Sequence, residues 1–199
     1  MTVIGICGGS GSGKGAVCSI FLSLGIPSID TDAVYHELTS WQSPCLKELM
    51  AEFGAQVGNG GRLNRTLLRE LVFTPPFVKE KQSRLNEITH KYVIEEVERL
   101  LCEYEKNGAR GVIIDAPLLI ESGIYKRCDH VIAVTANREV RLARIMLRDG
   151  ITLVQAEKRI DSQLPDTTLR EYADTVIEND GTLDELSRTV KLVYEKIFE

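Results

Sequence analysis

The sequence predicts an α/β fold: one doubly wound parallel sheet of five strands, with a helical insert and a lid segment attached. Three observations predict it. Short apolar runs rich in β-branched residues alternate with segments of helical periodicity along the 199 residues, and such alternation builds parallel sheets covered on both faces. The first run, 2–7, breaks into glycines, enters a helix and returns as a second strand, which is a βαβ unit. The apolar runs at 26–30 and 110–115 each end on a carboxylate, at the place where open α/β sheets present side chains to ligands.

The elements follow in order. Thr2-Val3-Ile4-Gly5-Ile6-Cys7 reads as a buried strand. Over 14–24, Ala16, Val17, Ile20, Phe21 and Leu24 recur at helical spacing, and Gly25 closes the helix. A second strand spans 26–30. Helical patterns at 32–40 and 45–53 lead to a turn-rich stretch, 54–61, centred on Asn59-Gly60-Gly61. A helix over 67–73 stops at Pro75-Pro76, and 78–106 reads as one long helix or as two meeting near His90. Strands at 110–115 and 131–135 precede a helix over 138–148. The polar segment 150–172 has short helical periodicity, 175–177 is a fifth strand, and 183–198 is the closing helix. One domain is expected. Its core covers about 1–31, 108–148 and 173–199, its helical insert about 32–107 and its lid about 149–172.

Composition bounds the function. Apolar residues make up 43% and charged residues 27%, as in an ordinary soluble protein. The formal net charge of −5 gives no general field for a nucleic-acid backbone, and no aromatic-basic cluster supplies a local one. Cys7, Cys18, Cys45, Cys102 and Cys128 are odd in number and scattered. Buried thiols in a reducing cytosol are therefore expected, not a disulfide framework or zinc site. The amino terminus lacks the basic and apolar regions of a signal peptide, and no run approaches the ~18 apolar residues of a spanning helix. A cytoplasmic protein with no membrane partner is expected. Trp41 carries no functional signal.

Gly8-Gly9-Ser10-Gly11-Ser12-Gly13-Lys14 has the spacing Gly-x4-Gly-Lys and falls between the first strand and the first helix. A phosphate needs several N–H donors converging on it and no side chains in the way. Glycines let the backbone curl round the anion, and the helix that follows points its positive end at it. The motif is a P-loop, so the fold is expected to be of the P-loop NTPase type. The expected ATP contacts are Gly11, Ser12, Gly13, Lys14, Gly15 and Ala16, with Lys14 reaching the β- and γ-phosphates. One departure matters. The lysine is normally followed by a Ser or Thr that binds Mg²⁺, and here Gly15 and then Ala16 follow.

Phosphoryl transfer to a hydroxyl needs a base, a metal site and cations. Asp30 and Asp32 flank one residue at a strand-to-helix junction, where one can cap the helix while the other faces the site. Asp32 is taken as the base. Asp115, ending the Val112-Ile113-Ile114 run, matches a Walker-B acid that holds Mg²⁺ directly or through water. Cations are offered by Arg141, Arg144, Arg148, Lys158 and Arg159. Of these Arg148, at a helix end before Asp149-Gly150, is best placed to move with a lid.

With these residues in view the chain resembles the dephospho-coenzyme A kinase family nearly end to end. After the phosphate loop, Ile29-Asp30-Thr31-Asp32 stands where the family has D-x-D. Leu63-Asn64-Arg65-Thr66-Leu67-Leu68-Arg69-Glu70-Leu71-Val72-Phe73 is similar to L-D-R-x-x-L-R-x-x-V-F, and Leu85-Asn86-Glu87-Ile88-Thr89-His90 to L-x-x-I-x-H. Asp115-Ala116-Pro117-Leu118-Leu119-Ile120-Glu121 resembles D-x-P-L-L-F-E. Arg159-Ile160-x-x-Gln163 and Ala173-Asp174-x-Val176-Ile177-x-Asn179-x-Gly181 resemble the lid and nucleotide-base segments. Departures are Gly15-Ala16 for Ser-Thr, Asn64 for Asp, Lys91 for Pro and Ile120 for Phe.

The resemblance implies transfer of the ATP γ-phosphoryl group to the ribose 3′-hydroxyl of dephospho-coenzyme A, with Mg²⁺. It also implies a helical coenzyme A-binding region and a lid. By position it makes Asp32 the base and Arg148 the lid arginine. Asn179 then belongs to the nucleotide site, while Asn86, His90, Pro117 and Leu118 line the acceptor pocket. Two alternatives share the loop: another P-loop nucleoside or nucleotide kinase, and a nucleotide-binding protein whose metal site has degenerated at Gly15.

Overall fold

β-Branched strands buried on both faces build the central sheet. The computed structural model describes residues 1–40 and 43–199, so Trp41 lies outside the described residues. Two units are distinguished: Met1–Ile29 with Tyr104–Glu199, and Asp30–Glu103.

In the first unit, strands β1 (Thr2–Cys7), β2 (Ser28–Asp30), β5 (Gly111–Asp115), β6 (His130–Thr135) and β7 (Thr175–Glu178) form a five-stranded sheet in the order β2-β5-β1-β6-β7. β1 pairs in parallel with β5 and β6, and β6 with β7. The register sets Ile4 beside Ile113 and Ile6 beside Ile132. Helices α1 (Lys14–Ser23) and α9 (Leu183–Phe198) pack together on this sheet. Their Val17, Phe21, Leu186 and Val190 share a core with Ile4, Ile6, Ile113, Ile132 and Val134. Helices α6 (Arg138–Asp149), α7 (Leu153–Asp161) and α8 (Asp166–Tyr172) link β6 to β7. α6 and α7 bury Ile145, Ala156 and Ile160 between them. Thr152 and Thr182 each begin a helix with a capping box, closed by Gln155 and Glu185, which satisfies two otherwise orphaned N–H groups at each start.

The second unit contains α2 (Thr31–Leu38), α3 (Pro44–Phe53), a 3₁₀ turn (Ala55–Val57), the two-residue strands β3 (Gly58–Asn59) and β4 (Arg62–Leu63), α4 (Arg65–Phe73) and most of α5 (Val78–Lys106). Its core is Cys45, Leu49 and Ile88, continued by Val57, Leu68 and Val72. α3 starts at Pro44 behind a Ser43 cap, and the Asn64 side chain caps α4 by accepting from the Leu67 N–H at 3.1 Å.

The structure decides one open reading and adds one element to the sequence expectation. The stretch 78–106 is the one long helix, not two meeting near His90; it contains neither glycine nor proline, and Thr89 bonds back to the Leu85 carbonyl at 2.8 Å without interrupting it. The turn-rich stretch hides a small hairpin, β3–β4, whose two-residue turn is Gly60-Gly61. Two-residue strands have no readable alternation, so periodicity cannot announce them.

The thiols mostly follow expectation. Cys7, Cys18 and Cys45 are buried and Cys128 is half-buried, but Cys102 on α5 is exposed. Burial pushes Cys7 and Cys45 up to about 11 and Cys128 up to about 12. These three behave as small apolar groups at neutral pH. Among the described residues no helix is long and apolar enough to cross a membrane.

Phe21 is wholly buried and its ring packs 6.5 Å from that of Tyr194, joining α1 to α9. Phe21→Ala removes the contact and leaves a cavity, so a loss of about 3–5 kcal/mol in chemical denaturation is expected.

Candidate active site

The glycine loop lies where the chain's connections diverge. β1 leads through α1 to β2 on one side of the sheet, and β6 leads to β7 on the other. The crevice outside the carboxyl ends of such strands is where open α/β sheets bind ligands. Cys7 ends β1 and Lys14 begins α1, so residues 8–13 bridge the two.

The loop is held from behind. Gly13 precedes α1 at φ 94°, and a Cβ there would collide with the carboxamide of Asn179. Only glycine meets both demands. Asn179 is buried, donates to the Ser12 carbonyl at 2.7 Å, and has its own N–H on the Thr135 carbonyl at 2.8 Å. Arg144 donates to the carbonyls of Asn179 at 2.9 Å and Gly11 at 3.3 Å. No side chain caps α1, and its first turn holds no acid. The positive end of that helix therefore remains open to an anion.

Lys14 ion-pairs with Asp115 at the end of β5, and both side chains are largely shielded from water. The Cys18 thiol lies 3.5 Å from the other Asp115 oxygen. Gly15 stands in open space: a Cβ there would meet nothing within 4 Å. Ala16 follows it on α1, partly buried against the core. Pro117 and Leu118 are exposed after β5 and line a cavity of about 90 Å³ together with Gly8, Gly9, Gln163 and Leu169. Lys14, Asp115, the loop, the Pro117-Leu118 turn and Asn179 thus gather in the first unit.

Arg148, also in that unit, is exposed and bonds to Asp149 through Nε at 2.8 Å and Nη2 at 2.9 Å. Arg159 pairs with the same carboxylate. These contacts, Arg148's hydrogen bonds above all, hold the Asp149 carboxyl down to about 2. The ion pair is therefore present throughout the neutral range and is lost only as pH falls through that value.

Asp32, Asn86 and His90 belong to the second unit. There Asp30 and Asp32 differ in their local bonding. Asp30 is the N-cap of α2: its Oδ1 accepts the N–H groups of Asp32 at 2.9 Å and Ala33 at 3.1 Å. The Asp32 carboxylate is exposed on the first helical turn. Asn86 is exposed and His90 half-buried on α5; spaced four apart, they share one helix face.

A family model described as dephospho-CoA kinase matches residues 2–185. The chain belongs to the dephospho-CoA kinase family. The dephospho-CoA kinase of Corynebacterium glutamicum is 36% identical over 198 residues, covering 99% of this chain and 100% of that protein. Among solved structures, one from Thermus thermophilus matches with a TM-score of 0.79 and 33% identity, covering 100% of this chain and 98% of that one. The dephospho-CoA kinase from Campylobacter jejuni matches with a TM-score of 0.72 and 26% identity, over 98% and 96% of the two chains. The dephospho-CoA kinase fold thus accounts for the parallel five-stranded sheet sandwiched by helices.

Within this kinase, sequence reasoning missed the supports of the loop. Arg141 and Arg144 appeared only as two of five candidate cations, and Gln163 only as part of a lid motif. Their spacing did hold a signal: residues three apart on a helix face one way, so whatever Arg144 touches, Arg141 can approach.

Removing a side-chain N-cap typically costs about 0.5–2 kcal/mol. Asp30→Ala should therefore lower stability by that amount in denaturant titration, whereas Asp32→Ala should be nearly neutral. Equal losses would show that both acids are structural.

Proposed function

We propose that this kinase transfers the γ-phosphoryl group of ATP to the ribose 3′-hydroxyl of dephospho-coenzyme A, yielding coenzyme A, the last step of its synthesis. The observation that carries the proposal is the uncapped start of α1, set behind a glycine loop with Lys14 and Asp115 paired beside it. Backbone N–H groups of Gly11, Gly13, Lys14 and Gly15 bind the phosphates, while those of Ser12 and Ala16 donate to the Gly9 and Gly13 carbonyls at 3.1 and 2.9 Å and hold the loop's shape. Lys14 exchanges Asp115 for β- and γ-phosphate oxygens, where its charge balances the transferring group. Asn179 lies at the edge of this nucleotide site.

The donor set suits Mg²⁺ that arrives with the nucleotide. Such ions take one or two carboxylates and fill the remaining positions with phosphate oxygens and water. Asp115 offers a carboxylate at the strand end, while no cluster of three His, Cys, Asp or Glu side chains converges among the described residues. When bound, Mg²⁺ neutralises charge on the phosphates; Asp115 would hold it through water, and Gly15 contributes no ligand. Asp32 takes the proton from the acceptor hydroxyl, a reading supported by its exposed carboxylate, while Asp30 Oδ1 is engaged as the cap of α2. Acceptor contacts are assigned to Pro117 and Leu118 in the first unit and, separately, to Asn86 and His90 in the second. Arg148 is the lid cation, and its exposed pair with Asp149 is a weak tie that a phosphate can displace.

The test is ATP consumption with and without dephospho-coenzyme A. Acceptor-dependent turnover is expected, with Lys14→Ala lowering it about 10²–10³-fold. Asp32→Asn should lower it about 10²–10⁴-fold while ATP still binds. Turnover on nucleosides but not on dephospho-coenzyme A would replace the acceptor, and a mild Asp32→Asn beside a crippled Asp30→Asn would exchange the two acids.

A second reading, nucleotide binding without turnover, is favoured by Gly15 alone. Because a side chain there meets open space, Gly15→Ser can restore the missing hydroxyl without a clash. It should lower the Mg²⁺ concentration for half-maximal activity. If the wild-type chain shows no Mg²⁺-dependent turnover and Gly15→Ser creates it, the second reading replaces the first.

A further inference from the structure

Arg141 takes no part in the chemistry described above, yet its side chain on α6 is only 6% exposed. A charge removed from water is costly unless it is paired and fully hydrogen-bonded. All three guanidinium nitrogens of Arg141 have partners. Nε donates to the Ser10 carbonyl at 2.9 Å, Nη1 to Asp166 Oδ1 at 2.9 Å, and Nη2 to Gln163 Oε1 at 3.4 Å. The same Gln163 oxygen accepts the Ser10 N–H at 2.9 Å, and the Gln163 amide nitrogen meets the Ser10 hydroxyl at 3.3 Å. Ser10 is therefore gripped on its carbonyl by α6 and on its N–H by the connection between α7 and α8. A Cβ on Gly9 would collide with Arg141 Nη2, so the guanidinium lies directly against the loop backbone.

We propose that Arg141 is a positioning residue for the phosphate-binding loop. With Asp166 and Gln163 it couples the loop's conformation to the seating of the α7–α8 connection. The inference rests on the reading that residues 8–16 carry the nucleotide's phosphates. Phosphate recognition by backbone N–H groups depends on a loop held in place beforehand. Arg141 supplies this for Ser10, and it can do so only while Asp166 and Gln163 stay in reach. When Gln163 and the start of α8 move together, the guanidinium loses two of its three partners and Ser10 loses its grip. A guanidinium is needed because its planar fork addresses three directions at once, which an ammonium on a flexible stem does not.

The test combines hydrogen–deuterium exchange and steady-state kinetics on the full chain. Losing hydrogen bonds from a charged donor corresponds to roughly 10- to 100-fold. Arg141→Gln and Arg141→Lys should raise the KM for ATP by that factor and leave the KM for dephospho-coenzyme A unchanged. Exchange should accelerate together in 8–13 and in 162–170, with the β1, β5 and β6 amides staying protected. Asp166→Asn, nearly isosteric, should show the same pattern more weakly, and it decides the matter if the Arg141 variants do not fold. Unchanged exchange in 8–13 with an unchanged ATP KM would overturn the proposal. So would faster exchange over the whole sheet with normal ATP KM, the mark of a merely structural residue. If the wild-type chain binds no ATP, the functional reading fails, while the paired exchange response of the two segments still decides the role of Arg141.

Discussion

The backbone of residues 8–13 is pressed against its own supports, and most of the site follows from that constraint. Asn179 holds the Ser12 carbonyl, Arg144 the Gly11 carbonyl and Arg141 the Ser10 carbonyl. The motif's glycines are commonly explained by the phosphate in front of them. Here Gly13 and Gly9 are required just as strongly by the groups behind, since a side chain at either would strike Asn179 or Arg141. The supports come from the loop after β7 and from α6, elements distant in sequence that the parallel pairing of β1 with β6 and of β6 with β7 brings together. Sheet order is thus the means by which a local motif acquires its geometry.

Charge is distributed to match. Lys14 and Asp115 neutralise one another at the front of the loop, so the shielded site holds a cation without an unpaired buried charge. Arg141 and Asp166 do the same at the back. The Arg148–Asp149–Arg159 group differs in being exposed. Exposed pairs of this kind contribute little to stability. Gly15 is the one place where this kinase breaks its own motif, and nothing packs against it. The fold therefore does not require glycine at this position.

Much of this was legible beforehand. Strand, loop and helix over 2–24 followed from apolar runs and glycine spacing, because a buried parallel strand and an amphipathic helix leave different periods in the chain. Asp115 at a strand end was readable for the same reason. The hairpin at Gly60-Gly61 was not, being too short to carry a period, and the unbroken course of α5 was left undecided although the lack of glycine and proline favoured it. Cys102 defied the general tendency of thiols to be buried, because its place on α5 faces solvent.

By itself the sequence determined the order and type of the elements, the phosphate loop with its Gly15 departure, and the family, since all of these rest on neighbours in the chain. Tertiary structure alone decided that Lys14 rests on Asp115 and that Arg141 and Arg144 bear on the loop, whereas the Asp30 cap and the Arg148–Asp149 pair are contacts between chain neighbours. The four arginines of α6 are chemically identical as letters. Which of them is buried, and against what, depends on where a sheet of non-adjacent strands sets that helix down, and no local spacing encodes that.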